Sequence, residues 1–217
     1  MAFSFYGSCF IRDDGTAGCI GYNINGSLDG VPSSDSIDAD TARVIPLPGV
    51  PVSLASVAYG YCALLSNGSA ACWGDPMADG QNDGYANQLA VGLINVGTGM
   101  SIKQIVGGLD TYCALLVPSG GVKCWGKCGY DRCDAATMGY ASGLTQMGDS
   151  LPYIQLGTGL TVSELASGYY HYCALFTSGK AKVQRTTQNS ALTQYVRAVL
   201  GRRQFRGLGR RALVHGL

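Results

Sequence analysis

The sequence predicts an all-β fold built from repeated hairpins, and three observations support this prediction. A pattern of cysteine, glycine turn and second cysteine occurs three times in the 217 residues, over 9–19, 62–72 and 113–124. A fourth copy begins at Cys173 and has Val183 where its second cysteine would stand. The chain contains 32 glycines and only 13% of its residues are charged, a composition compatible with a compact β protein.

Each copy predicts a β-hairpin whose two cysteines face each other. Apolar residues of strand type lead into a short polar loop ending in glycine, which is typical of a type I turn with a left-handed glycine. A three-residue loop over 66–68 places the two cysteines of the second copy in opposed positions, and a loop longer by one residue restores this register in the third. Opposed residues have Cα atoms roughly 4.5 to 5.5 Å apart, which a disulfide tolerates. We therefore predict the bridges Cys9–Cys19, Cys62–Cys72 and Cys113–Cys124.

An alternative is that these cysteines fill the core as free thiols, as cytosolic proteins often allow. The repeated register favours bridges, and bridges predict maturation in an oxidising compartment. Asn-Gly-Ser sequons at Asn25 and Asn67 are compatible with secretion. The predicted location is therefore the extracellular space or the secretory pathway, with the cytoplasm as the alternative, although no signal peptide precedes the repeats.

The spacing of the copies predicts the blades of a β-propeller. Their first cysteines are 53, 51 and 60 residues apart, and a period of about fifty residues with only strand signals indicates blades rather than a helical solenoid. Upstream segments 94–107 and 154–168 align almost residue for residue, each with Gly-Thr-Gly before a strand. Because strands follow these glycines, they predict turns and not phosphate-binding loops.

The wider repeat resembles a known family. After the second cysteine, 72–74 and 124–126 both read Cys-Trp-Gly, and 80–84 keep part of a glycine loop. Together with the Cys-Ala-Leu strands, these features resemble the repeat of the regulator of chromosome condensation family, in the disulfide-bearing form of extracellular relatives such as ectodomains of plant receptor kinases. The resemblance covers about residues 2–183. It implies a seven-bladed propeller, of which this chain carries about three to four blades.

A partial propeller leaves open sheet edges that need cover. The chain is therefore expected to be a fragment, to self-associate through open blade edges, or to form an unusually small ring. Met1 falls inside a repeat, which favours the first of these alternatives, that the chain is a fragment. We predict propeller repeats over 1–183 and a separate basic tail over 184–217.

The C-terminal segment differs in charge from the rest. Residues 180–217 hold nine Lys or Arg and no acid, whereas residues 1–179 hold the other 6 basic residues and all 14 acidic ones, giving formal charges of +9 and −8. Apolar spacing predicts a short helix between Ser190 and Gly201. Such a tail would dock on nucleic acid, on an acidic membrane surface or on the acidic propeller. The alternatives are a solvated disordered tail and a reading frame lost near Val183.

Three further cysteines lie outside the predicted hairpin bridges. Cys128 and Cys133 stand close to Cys124 and would bind zinc with it. Because Cys124 is assigned to Cys113, the favoured alternative is a small loop disulfide between Cys128 and Cys133, and no metal is predicted. Cys173 is predicted to be an unpaired thiol.

No group of residues predicts catalysis. Neither His171 nor His215 has an evident nucleophile or acid as a partner, and the acidic residues are scattered singly in loops. The stretch containing Asp35, Asp38 and Asp40 lacks the glycine and terminal glutamate of a calcium loop. No apolar run is long enough to span a bilayer. We therefore predict a protein that is not an enzyme and uses no cofactor.

The predicted function is binding of a protein or glycan through propeller loops, because propellers present irregular loops from a rigid scaffold. The resemblance implies, as an alternative, guanine-nucleotide exchange on a small GTPase. A third alternative is a partial gene product with no autonomous function. Nucleic acid is expected only through the basic tail. Tyrosines near blade ends are candidates for the binding surface, although packing in the core or between blades is the favoured role for most: Tyr59, Tyr61, Tyr112, Tyr169, Tyr170 and Tyr172.

Overall fold

The computed structural model describes residues 1–24, 28, 36–40, 42–74, 91–126, 147–185 and 194–197. Regular structure in these residues is β-strand, apart from a 3-10 turn at Gly148–Ser150 and 3-10 conformation at Ile24. Within the same ranges, no helix has the length and apolar character needed to cross a membrane.

The strands form four antiparallel sheets, which are blades 1 to 4 in chain order. Blade 1 contains β1 (Ala2–Phe3), β2 (Gly7–Ile11), β3 (Ala17–Tyr22), β4 (Ser36–Ile37) and β5 (Arg43–Ile45), which also pairs with β3. Blade 2 contains β6 (Pro51–Ser56), β7 (Gly60–Leu65), β8 (Ala70–Gly74) and β9 (Gly92–Leu93). Blade 3 contains β10 (Ser101–Gly107), β11 (Thr111–Val117) and β12 (Val122–Gly126). Blade 4 contains β13 (Val162–Gly168), β14 (His171–Phe176), β15 (Lys180–Arg185) and β16 (Gln194–Arg197).

The hairpin register is the one that the sequence predicts. The loop glycines Gly68 and Gly120 have φ angles of 80° and 67°, in the left-handed region that closes such loops. The paired cysteines are directly opposite each other and have Cα atoms 4.0 to 4.1 Å apart. Disulfides join the three predicted pairs, Cys9–Cys19, Cys62–Cys72 and Cys113–Cys124.

The apolar core lies between successive blades and forms three clusters of buried side chains. Because neighbouring residues of a strand point to opposite faces, Tyr61 packs in the core between blades 1 and 2, and Cys62 packs between blades 2 and 3. The Cys9–Cys19 and Cys113–Cys124 bridges likewise face the core shared with the following blade. Each bridge therefore lies under the next blade.

The predicted C-terminal helix is wrong for Gln194–Arg197, which form β16. This strand pairs with β15, with Val183 opposite Gln194. An edge strand offers unpaired backbone N–H and C=O groups, and pairing satisfies them. Valine and tyrosine within β16 also favour strands. Gln184 and Arg185 belong to β15. The rest of the tail lies outside the described residues, and the division into 1–183 and 184–217 stays a prediction.

Candidate functional site: an aromatic cluster at the blade ends

One turn in each blade connects its first two strands, and these four turns lie together. The Phe5 N–H donates to the Ala58 carbonyl oxygen at 3.2 Å, and the Ala58 N–H donates to the Leu109 carbonyl oxygen at 2.6 Å. The Leu109 N–H in turn donates to the Tyr169 carbonyl oxygen at 3.0 Å. The turns of blades 1 to 4 therefore form a continuous hydrogen-bonded rim, referred to below as the turn rim.

Side chains at the strand ends hold the turn rim together. The Ser56 hydroxyl donates to the Phe3 carbonyl oxygen at 2.7 Å, and the Ser167 hydroxyl donates to the Gly107 carbonyl oxygen at 2.7 Å. A Cβ atom at Gly107 would lie 2.1 Å from the Ser56 carbonyl oxygen. Glycine is therefore required here because the backbones of neighbouring blades approach closely.

Three of the six candidate tyrosines are buried and pack between blades: Tyr61, Tyr112 and Tyr172. The Tyr61 hydroxyl donates to the Ser4 hydroxyl of blade 1 at 2.6 Å. The Tyr172 hydroxyl donates to the Thr111 carbonyl oxygen of blade 3. Burial raises the pKa of Tyr61 to about 12 and also raises the pKa of Tyr172. These side chains join blades and cannot form a binding surface.

The other three candidate tyrosines are exposed on the turn rim, where two further rings join them. The five rings have exposed fractions of 37% to 52%, although each contacts at least one other ring. We refer to this group as the aromatic cluster. Its members are Phe5 and Tyr6 of blade 1, Tyr59 of blade 2, and Tyr169 and Tyr170 of blade 4.

The rings connect three blades through stacked and edge-on contacts. Tyr6 stacks on Tyr59 with ring centroids 5.8 Å apart, and Phe5 stacks on Tyr169 at 5.9 Å. Tyr170 meets Tyr169 edge-on at 4.3 Å. These distances are within or close to the range in which aromatic pairs attract each other. The cluster is therefore a continuous surface across blades 1, 2 and 4.

Sequence reasoning missed Phe5 and Tyr6, although a signal for them was present. The segment 2–8 occupies the same place in its blade as 166–172 occupies in blade 4. This alignment puts Phe5 and Tyr6 near the position of Tyr169 and Tyr170. The equivalent turn of blade 3 departs from the pattern, because it carries Leu109 and Asp110.

Of the cysteines outside the bridges, the structure describes Cys173. Cys173 is half-buried and forms no disulfide with another described cysteine, and burial raises the pKa of its thiol. Cys124 is held by Cys113, which removes it from the zinc set considered above. Cys128 and Cys133 lie outside the described residues, as do Asn25, residues 80–84, Asp35 and His215.

The acidic and histidine candidates that the structure describes do not form a reaction centre with the aromatic cluster. Asp38 and Asp40 are exposed, and His171 is half-buried at the start of β14. Among the residues that the structure describes, no three His, Cys, Asp or Glu side chains are grouped as a metal ion would need. Exposed tyrosine and phenylalanine rings supply apolar area, ring faces and hydroxyl groups, which suit recognition.

No family model matches the chain, and no curated protein matches its sequence. The structure is similar to yeast RCC1 (Prp20) bound to Kap60, with 17% identity, a TM-score of 0.59, and coverage of 83% of this chain and 40% of that one. Human WBSCR16 matches with 19% identity and a TM-score of 0.60, over 84% of this chain and 46% of that one. The receptor kinase CR4 ectodomain of Physcomitrella patens matches with 17% identity and a TM-score of 0.50, over 88% and 41%.

The chain thus spans less than half the length of each of these proteins. At identities of 17% to 19%, the likeness shows the fold. The predicted resemblance is confirmed at that level: the four blades have the fold of RCC1-type propeller blades.

Proposed function

We propose that this chain is a protein-binding module that recognises its partner through the aromatic cluster. The proposal is based on the exposure of five aromatic rings, from three blades, at one end of the strands. Soluble proteins usually bury large aromatic side chains or use them at interfaces, where tyrosine is enriched. The described surface offers no comparable grouping of rings elsewhere.

The exposed area of the cluster is large enough to matter for binding. An aromatic side chain offers about 150 to 250 Å² of surface. Covering the exposed half of one ring would contribute about 2 kcal/mol at about 25 cal/mol per Å². That corresponds to a change in affinity of more than tenfold for one ring, before the costs of association are subtracted.

The scaffold below the rings reduces those costs. The turns of the four blades are hydrogen-bonded to one another, and blades 1, 2 and 3 each contain a disulfide. Tyrosine has few rotatable bonds, so little side-chain entropy is lost when its ring is covered. A preorganised aromatic surface therefore binds with a smaller entropic penalty than a surface on loose loops.

The comparisons support a protein as the partner. One similar structure is yeast RCC1 (Prp20) in complex with Kap60. Another is that of Prp20p from Saccharomyces cerevisiae, described together with its binding properties to Gsp1p and histones. These are partners of those proteins, and they support a non-enzymatic protein-binding role for the same fold in this chain. The three disulfides favour a site of action in the secretory pathway or outside the cell.

Quantitative affinity capture with matched variants tests the proposal. The full chain is immobilised as wild type, as the double variant Tyr59→Ser/Tyr169→Ser, and as the control Val52→Ser. Val52 is also exposed but lies on β6, away from the turn rim. Captured proteins are quantified from secreted and cell-surface fractions. The proposal predicts specific proteins that bind wild type and control equally and are reduced at least tenfold on the double variant.

Two results would overturn the proposal. Equal capture by the double variant and the control would show that the aromatic cluster is not the binding surface. Loss of all capture after enzymatic removal of glycans from the fractions would show that the module binds glycans and not proteins.

A further inference from the structure

The loop between β7 and β8 carries a sequon, Asn67-Gly68-Ser69, in a defined conformation. Asn67 is exposed. Its Oδ1 accepts hydrogen bonds from the Ser69 backbone N–H at 3.0 Å and from the Ser69 hydroxyl at 2.7 Å. The loop backbone is also fixed against blade 3, because the Ile102 N–H donates to the Gly68 carbonyl oxygen at 2.6 Å. Within the described residues, the side-chain amide of Asn67 is thus held only through its oxygen.

The equivalent loop of blade 1 shows what this turn requires. There the Thr16 backbone N–H donates to Asp14 Oδ1 at 2.9 Å, and the Thr16 hydroxyl donates to the same oxygen at 2.6 Å. An ionised aspartate has acceptor oxygens and no N–H group. The turn therefore uses one acceptor oxygen and does not use the Asn67 Nδ2 group. In the part of the chain that the structure describes, no acceptor pairs with Nδ2.

We propose that Asn67 is a site of N-linked glycosylation. An Asn-X-Ser sequence on a surface loop of a secreted protein is the acceptor for an oligosaccharide carried on a lipid diphosphate. Asn67 Nδ2 attacks the anomeric carbon of the donor. The new Nδ2–C bond forms as the bond between that carbon and the diphosphate oxygen breaks. Nδ2 loses one proton to a base of the transferase, the lipid diphosphate leaves, and no atom is oxidised or reduced.

The position of Asn67 keeps the glycan away from the aromatic cluster. β7 separates the turn containing Tyr59 from the loop containing Asn67. Its 6 residues span about 20 Å at about 3.3 Å per residue. A glycan at Asn67 therefore covers the end of blade 2 opposite the turn rim. The inference depends on passage through the secretory pathway and not on the proposed binding function.

Peptide mapping of the secreted full chain tests this inference. The chain is expressed with a secretion signal in a eukaryotic host, in an Asn25→Gln background so that only one natural sequon remains. Glycosidase digestion in heavy-oxygen water converts a modified asparagine to labelled aspartate. We expect labelled Asp at position 67 in most molecules. Secreted protein with intact disulfides and unlabelled Asn67 would overturn the inference.

Two variants test the role of the turn. Asp14→Asn places Asn-Gly-Thr in the matching turn of blade 1, and we expect a second glycan there. Asn67→Asp removes the acceptor nitrogen and keeps the acceptor oxygen, so we expect loss of one glycan with unchanged secretion. A protein in which Asn67→Asp carries the same glycan mass as the parent would also contradict the inference.

Discussion

Blades 3 and 4 have the same hairpin register but differ in how many faces they bury. In blade 3, β11 is buried along both faces except at Val117. In blade 4, β14 alternates between half-buried and buried residues, and the buried ones face blade 3. Cys173 lies on the other face, opposite Val183. A blade thus keeps its register without a bridge and with one face of its second strand only half-buried by the described residues.

The difference shows which forces set the register and which add stability. Gly179 of blade 4 has a φ of 77° and Gly120 of blade 3 has a φ of 67°, so both loops end in a left-handed glycine. The turn and the alternation of apolar residues therefore specify the pairing in both blades. The disulfides lock a pairing that already exists. Their contribution should appear as stability and not as a change of fold.

The largest expected effect is the decrease in the free energy of unfolding when a bridge is removed from a buried blade. Cys62→Ala/Cys72→Ala is predicted to lower the free energy of unfolding by at least about 3 kcal/mol, because the bridge contributes about 2 to 3 kcal/mol and both sulfurs leave a packed core. Cys173→Ala is the matched control and is expected to cost less than about 1 kcal/mol. Denaturation in urea measures both. Equal losses would contradict the comparison.

A bridge introduced into blade 4 is expected to produce the next largest effect. Val183→Cys places a second thiol opposite Cys173 and is predicted to close a fourth disulfide that raises stability by about 2 kcal/mol. Alkylation under non-reducing conditions should then no longer label Cys173. Val183→Ser serves as the control without a bridge. Continued labelling of Cys173 in the Val183→Cys protein would show that blade 4 does not share the register.

The contact between blades 3 and 4 is expected to depend on the Tyr172 hydroxyl. Tyr172→Phe removes its hydrogen bond to the Thr111 carbonyl oxygen and is predicted to cost about 1 kcal/mol. The loss is limited because that oxygen also accepts from the Gly108 N–H at 2.9 Å. Hydrogen exchange should increase first in β13 and β14. Uniform protection across all blades would contradict a local role.

The smallest effect concerns an exposed carboxylate. Hydrogen bonds from Thr98 hold the pKa of Asp149 below its ordinary value. Because the folded pKa is the lower one, this contribution is present above the ordinary pKa of 3.8 and is lost as pH falls through the folded pKa. Asp149→Asn is predicted to flatten the acid limb of stability against pH. An unchanged acid limb would contradict this role.

The local features of the fold were predictable from sequence, since loop length and strand alternation depend on nearby residues. The opposed cysteines and the glycine turns follow from them. The strand β16 was not predictable, because Tyr195 and Val196 belong to a longer pattern of apolar residues whose spacing also fits a helix. Its conformation depends on an open edge of β15 that exists only in the folded blade.

The candidate site was predictable only in part. Tyr59 and Tyr61 are two residues apart, yet Tyr59 is exposed on a turn and Tyr61 is buried in a strand. Strand alternation gives no information about residues in turns. The contact between Phe5 and Tyr169 also depends on how blades 1 and 4 meet, which follows from packing between blades and not from any single hairpin.

Disulfide mapping of the full chain, purified from an oxidising compartment and alkylated before digestion, tests the shared register most directly. The shared register predicts the linked peptides Cys9–Cys19, Cys62–Cys72 and Cys113–Cys124, together with alkylated Cys173. Reduced thiols at those six positions, or a bridge from Cys173 to any of them, would contradict it.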